Sequence, residues 1–335
     1  MEQKTKPRIG ITIGDIAGIG PEVALKTLAD NRVLHYCTPI IYGTASAVNK
    51  YRKLLSLDNF SFQQIQTFDQ VHPKKVNVLN CLEEEVEFTP GIPSPTTGAL
   101  ARAALLRAAQ DLKDGHIQAV VTAPIDKDNT QGEGFQFPGH TEFFTTHFNA
   151  PESLMFLVAD GLRVATVTGH IPLKEVASRL TPELLIRKLT ILENSLRKDF
   201  GIQKPKIAVL GLNPHAGENG LLGTEETDIV TPVIEQFKNK GNLIFGPFPA
   251  DGFFGTRSYQ KFDATLALYH DQGLIPFKTL AFERGVNFTA GLPIVRTSPD
   301  HGTAYDIAGQ NKADETSFRE ALFAAVDILR ARAEA

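Results

Sequence analysis

Short β-branched runs alternate along this chain with longer stretches of helical period, the pattern of βα units that build a mainly parallel sheet. Residues 9–13, 39–42, 117–122, 154–158, 163–168, 206–210 and 264–268 read as strands. A glycine turn follows the first of them and leads into a helix opening at Pro21. Residues 97–113 are alanine-rich, with Leu100, Ala104, Ala108 and Leu112 recurring on one helical face. Residues 182–198 form a helix with proline in its first turn, and residues 318–332 close the chain with another. Residues 58–95 show no clear period. No repeat, low-complexity tract or Ser/Gly linker marks a boundary, so two domains are expected to share a continuous sheet or exchange segments.

Size makes two domains the expectation, since 335 residues exceed what one core usually supports. An apolar fraction of 42% and a charged fraction of 21% are those of an ordinary folded protein. The formal charge of -4 argues against general nucleic-acid binding. Cys37 and Cys81 are the only cysteines, without a CxxC pair, so neither a disulfide framework nor a thiolate zinc site is expected. The charged start lacks the apolar core of a signal peptide, and no stretch approaches the roughly 20 apolar residues of a membrane span. A cytoplasmic protein is the expectation.

Chemistry concentrates at strand ends. His170, His215 and His270 each fall just past the C-terminal end of an expected strand, where open α/β sheets bind ligands. A lone histidine near a loop is ordinarily a hydrogen-bonded surface residue; three at equivalent positions point to a shared cation. Imidazoles suit zinc, cobalt, iron or nickel better than magnesium, and three protein ligands leave a position open for substrate. His35, His72, His116 and His147 lack that context and read as structural.

Residues 14–22, GDIAGIGPE, are neither a GxGxxG fingerprint nor a Walker A. They make a tight βα turn, whose amides at a helix start can also receive an anion. His140 and Thr141 stand at an expected helix start, Thr141 either as an N-cap or as a substrate contact, with Glu142 and Glu152 as solvated charges. Lys278, Asn287 and Arg296 follow or interrupt apolar runs, and buried cations need anionic partners, so a phosphorylated, carboxylated small molecule fits them. Asp251 and Asp271 are candidates for orienting the histidines or a metal.

The motifs GDIAGIGPE, TAPIDK, GHTEF, GHIPL, LNPHAGENG with GTEE, GPFPAD, YHDQGL and VNFTAGLPIVRTSPDHGTAYDIAG run in order through nearly the whole chain. In this the chain resembles the 4-hydroxythreonine-4-phosphate dehydrogenases of pyridoxal 5'-phosphate biosynthesis. The resemblance implies two α/β/α domains around a mixed, mainly parallel sheet of the isocitrate/isopropylmalate dehydrogenase type. They would comprise residues 1–125 with 300–335, and residues 126–299, with the active site in the cleft between them. It implies His170, His215 and His270 as ligands of one divalent metal ion (zinc, magnesium or cobalt) per site. His140, Thr141, Lys278, Asn287 and Arg296 become substrate-binding positions. By the same resemblance His301, Gly302 and Asp306 would hold the adenosine part of NAD, or of NADP, which explains the missing Rossmann fingerprint. The family is a homodimer whose site is shared between subunits, His270 being the ligand donated across. One departure is Ile16, where the family usually has proline; this frees a φ angle without removing a chemical group.

The implied reaction oxidises an alcohol β to a carboxylate, after which the β-keto acid loses carbon dioxide. Its base is open among Lys278, Asp251 and a metal-bound water, with Asp271 a further catalytic candidate. The rivals are a sister enzyme acting on D-threonate or D-erythronate 4-phosphate, which carry a hydroxyl in place of the amine, and a metal-dependent phosphate-ester hydrolase.

Overall fold

The computed structural model describes residues 6–82 and 86–335; the signal-peptide reading falls on residues 1–5, outside the described residues. The chain forms two compact units, Met1–Pro151 with Leu292–Leu329, and Glu152–Gly291 with Arg330–Ala335. The first opens with β1 (Arg8–Thr12), α1 (Gly20–Ala29), β2 (Thr38–Gly43), α2 (Ala45–Leu54), β3 (Phe62–Ile65) and β4 (Val76–Asn80). It continues with α3 (Pro95–Lys113), β5 (Ala119–Thr122) and α4 (His140–His147). The second unit contains β6 (Leu154–Ala159), β7 (Leu162–Thr166), α5 (Val176–Arg179), α6 (Pro182–Lys198), β8 (Lys206–Leu210) and α7 (Thr231–Asn239). Next come β9 (Leu243–Phe248), α8 (Ala250–Gly255), β10 (Ala264–Ala267), α9 (His270–Ala281) and β11 (Val286–Ala290). The chain then returns through β12 (Val295–Pro299) and α10 (Thr316–Glu334).

In the first unit the strand order is β3-β4-β2-β1-β5-β12, with every neighbouring pair parallel. Its central strands are buried on both faces, which is why they read as unbroken apolar runs. Burying a side chain such as Ile9 or Ile11, each fully enclosed, stabilises the fold by roughly 1.5–3 kcal/mol. Helix α3 starts at a Ser94–Thr97 capping box with proline beside it and lays Leu105, Ala108 and Leu112 into this core. Phe135, Phe143 and Phe144 join the same core, so the segment that leads into and includes α4 packs with the first unit.

The second unit has the order β11-β6-β7-β10-β8-β9, with β6 antiparallel to both its neighbours and the other pairs parallel. The expectation of a mixed, mainly parallel sheet holds. Residues 58–95, where no period was legible, contain β3 and β4. Strand β4 hides its pattern behind Asn77, a fully buried residue whose amide donates to the carbonyls of Pro39, His72 and Lys75.

Gly98 marks a close approach. A Cβ there would lie 2.0 Å from the Asn129 carbonyl oxygen, on the loop whose Asn129 amide donates to Asp15 at 2.6 Å. Gly98→Ala is therefore expected to cost about 1–3 kcal/mol by overpacking. Urea unfolding measures it; an unchanged midpoint would show that the loop yields freely.

Candidate active site

Strands β7, β10 and β8 are adjacent and parallel, and the three imidazoles follow their C-terminal ends. Beyond the strands, the Val167 amide donates to the Ala267 carbonyl at 2.9 Å and the Thr168 amide to Leu268 at 3.2 Å, so β7 and β10 stay in step. This brings the His170 and His270 rings to 5.5 Å between centroids. Both line a cleft of about 440 Å³ together with Gly169, Tyr269 and Asp271. His270 is the first residue of α9, and its Nδ1 lies 2.6 Å from the Asp271 carboxylate. With the proton on Nδ1, Nε2 presents its lone pair, the arrangement that orients a metal-binding histidine.

His215 sits differently. It begins five consecutive residues of left-handed backbone, with φ of 55, 52, 79, 43 and 56° from His215 to Asn219. Each non-glycine residue there costs roughly 1–2 kcal/mol, so the surroundings must hold the turn. They do so through Glu226, a buried carboxylate that accepts from the Asn213 amide nitrogen at 2.7 Å and from Asn213 Nδ2 at 3.0 Å. Glu226 also presses on the turn, since a Cβ at Gly217 would lie 2.6 Å from its Oε2. Helix α8, which carries Asp251 exposed in its first turn, packs beside this turn.

Within one chain the three imidazoles do not close on a common point. Among the described residues, the group of three such side chains with donor atoms within 4.8 Å of one another is Asp111, Asp114 and His116. Its members have other partners: Arg107 bonds Asp111 at 2.9 Å, Gln110 donates to Asp114, and His116 stacks on Phe68 at 4.4 Å.

A second cluster lies in the first unit. Arg296, on β12, is 3% exposed and donates from Nε and Nη2 to Thr122 Oγ1 at 3.1 and 2.7 Å. Burial pushes this guanidinium down to about 10, opposed by the Glu142 carboxylate. It therefore stays charged at neutral pH. His140 opens α4, and its Nε2 is enclosed with no hydrogen-bond partner. Burial, with the positive charges of Arg296 and Lys127, holds this imidazole well below its ordinary range and neutral. Thr141 is the second residue of α4 and not its N-cap, which is Gly139 in extended backbone. Glu152 is no solvated charge: Arg187 and Lys188 hold it at 2.8 Å each.

The remaining candidates stand apart. Asn287, on β11, has a buried Oδ1 without a partner, an opening for a donor on a ligand. Lys278 lies two turns along α9 from His270, about 12 Å by helical rise, with Nζ 5.8 Å from the Phe282 ring centre. His301, Gly302 and Asp306 lie on the loop after β12, and His301 Nδ1 lies 3.0 Å from the Gly302 carbonyl. That loop packs on the first glycine turn. The Ile19 amide donates to Thr303 at 2.9 Å, and Tyr305 OH lies 2.9 Å from Asp15 and 3.2 Å from Asp126. Asp15 takes up the amides of Ala17 and Gly18 as well. The amides of Ala17, Gly18 and Ile19 are thus committed inside the protein, which fixes the turn. Sequence reasoning missed Asp15, Tyr305 and Glu226 as organising groups; a carboxylate inside a glycine-rich motif was the available signal.

The state of His140 is open to test. Its folded pKa is depressed, so below the unfolded value of about 6.5 the unfolded chain binds a proton that the folded chain rejects. Its contribution is full above that value and is lost as pH falls below it. The melting temperature should fall more steeply from about pH 7 to about pH 5 in the wild type than in His140→Asn. Parallel slopes would contradict the assignment.

The chain matches the family model described as pyridoxal phosphate biosynthetic protein PdxA over residues 35–325. A 4-hydroxythreonine-4-phosphate dehydrogenase of Bacteroides thetaiotaomicron is 50% identical over 98% of this chain and 91% of its own length. An Oceanobacillus iheyensis protein provisionally named D-threonate 4-phosphate dehydrogenase is 39% identical over 96% of this chain and 98% of its own. The crystal structure of 4-hydroxythreonine-4-phosphate dehydrogenase from Klebsiella pneumoniae superposes with a TM-score of 0.84 at 34% identity, covering 98% of this chain and 99% of that one. A β-decarboxylating dehydrogenase from Thermococcus kodakarensis shares the fold, with a TM-score of 0.50 at 14% identity over 95% of this chain and 81% of that one.

Proposed function

This chain belongs to the PdxA family of pyridoxal phosphate biosynthetic proteins, and on that premise we propose that it oxidises and decarboxylates 4-hydroxythreonine 4-phosphate. The products are 3-amino-2-oxopropyl phosphate, carbon dioxide and reduced NAD or NADP. The observation that carries the reading is 50% identity, over 98% of the chain, to a relative of that name.

His170, His215 and His270 are the residues that would hold a divalent cation. The donor set supports this: two imidazoles face one cleft, and Asp271 orients one of them. In the homodimer that the family resemblance implies, His270 would be the ligand donated across, joining His170 and His215 of the other copy. A divalent cation held there would supply Lewis acidity, and a nicotinamide cofactor would supply the hydride acceptor. The chain's own groups do the rest. Arg296 holds an anionic group of the substrate while its Nε and Nη2 brace on Thr122. Neutral His140 offers Nε2 to a polar group of the substrate, with Thr141 beside it on α4. Lys278 and Asn287 supply a further charge and an amide, and His301, Gly302 and Asp306 would hold the adenosine part of the cofactor. Asp271 is committed to His270, which leaves Lys278, Asp251 or a bound water to take the hydroxyl proton. Loss of carbon dioxide from the resulting β-keto acid needs only a stabilised electron pair on the ketone side.

The second reading, a D-threonate 4-phosphate dehydrogenase, is favoured by the Oceanobacillus relative. Steady-state assay of NADH formation and carbon dioxide release with both phosphorylated acids separates them. The proposal expects kcat/KM to favour the amine-bearing substrate. Turnover of the hydroxyl-bearing substrate alone would establish the second reading, and phosphate release without cofactor would overturn both.

A further inference from the structure

We propose that Gln272 is a positioning residue for His215, acting through the backbone of the strand end that carries it; this rests on the metal-site reading above. Each histidine lies beyond the last residue of its strand, where the regular ladder has stopped. Something else must hold each loose end in place. The described hydrogen bonds form a buried line that does this. Thr168, two residues before His170, donates from Oγ1 to the Leu268 carbonyl at 2.9 Å. Leu268, two residues before His270, donates its amide to Gln272 Oε1 at 2.7 Å. Gln272 Nε2 then donates to the carbonyl of Gly211 at 2.6 Å, four residues before His215. One side-chain amide thus joins the end of β10 to the end of β8, and Thr168 extends the line to β7.

Both halves of the amide are used, and the two halves have different meanings. Gln272 is the third residue of α9, so its oxygen, reaching back to an amide ahead of the helix, resembles ordinary helix capping. Capping needs only an acceptor. The donor half has no role in the helix; it spans to another strand in a setting where Gln272 is 9% exposed and Leu268 fully buried. A lost partner there leaves the Gly211 carbonyl facing nothing and frees the loop that leads to His215. Groups that orient metal ligands from outside typically contribute 10- to 100-fold in metal affinity.

Gln272→Glu separates the two roles, because a carboxylate keeps the capping acceptor and places an oxygen against the Gly211 carbonyl. Cobalt(II) titration of the full chain, followed by visible absorption, reads affinity and ligand geometry without turnover. Gln272→Glu should bind cobalt roughly 10- to 100-fold more weakly than wild type, with an altered spectrum and an intact circular dichroism signature. In a His215→Ala background the same change should cost little more, since it acts through that ligand. Should Gln272→Glu fail to fold, Thr168→Val loosens the same line from the other side and should weaken cobalt binding by a smaller factor. Wild-type affinity in a folded Gln272→Glu or Thr168→Val protein, or a full additional loss on top of His215→Ala, would overturn the inference. If His215→Ala itself keeps wild-type affinity, the metal-site reading fails first and this one with it.

Discussion

His270→Ala is expected to lose bound metal and to slow turnover by at least about a hundred- to a thousand-fold, the usual effect of removing one electrostatic stabiliser of a transition state. The residue is suited to this role by position. It sits at the start of α9, its ring is 5.5 Å from that of His170, and Asp271 fixes its Nδ1. His170→Ala should behave alike. Asp271→Asn should do less, roughly 10- to 100-fold in metal affinity, because it removes the orienting carboxylate and keeps the ligand. His270 is a third exposed, so melting should shift little. Asp111→Ala is the control, since it breaks the other cluster of potential ligands and should leave metal content unchanged. Metal analysis after dialysis, paired with NADH formation, checks each variant; full metal and full rate in His270→Ala would refute the ligand assignment.

Arg296→Leu should lower kcat/KM by tens to thousands of fold, corresponding to the roughly 2–5 kcal/mol lost when one member of a buried charge pair is truncated. The guanidinium is almost wholly enclosed, stays charged and is fixed on Thr122 through two nitrogens, a rigid positive group of the kind that recognises anions. Leucine fills the volume without a charge, so the fold should survive and the loss should appear in substrate recognition. Arg296→Lys should rescue poorly, because an ammonium cannot brace on Thr122 through two nitrogens and still present a planar face. Inorganic phosphate should protect the wild type against heat more than it protects Arg296→Leu. A folded Arg296→Leu protein with near-native kcat/KM would remove Arg296 from the site.

Of the seven strands that sequence reasoning found, β1, β2, β5, β8 and β10 are buried almost throughout, and burial on two sides demands an unbroken apolar run; β6 and β7 are partly exposed but keep apolar runs of their own. Those it missed had a reason to break the pattern. Strands β3 and β9 end their units' strand orders, and β3 carries Gln63 and Gln64 where a central strand would carry valine. Strands β11 and β12 are interrupted by Asn287 and Arg296, the polar groups that make them interesting. The local rule failed where a polar side chain interrupts the apolar run. At the site, the placement of the histidines at three strand ends was legible, since it needs only strand order along the chain. Their spacing was not, because it depends on Glu226, Gln272 and Thr168, whose partners are backbone groups far away in sequence.

Anomalous diffraction from crystals grown with zinc tests the central claim most directly. The account predicts one peak per active site, bonded to His170, His215 and His270 with the set completed by a second copy of the chain. A peak instead at Asp111, Asp114 and His116, or none near the three imidazoles, would contradict it.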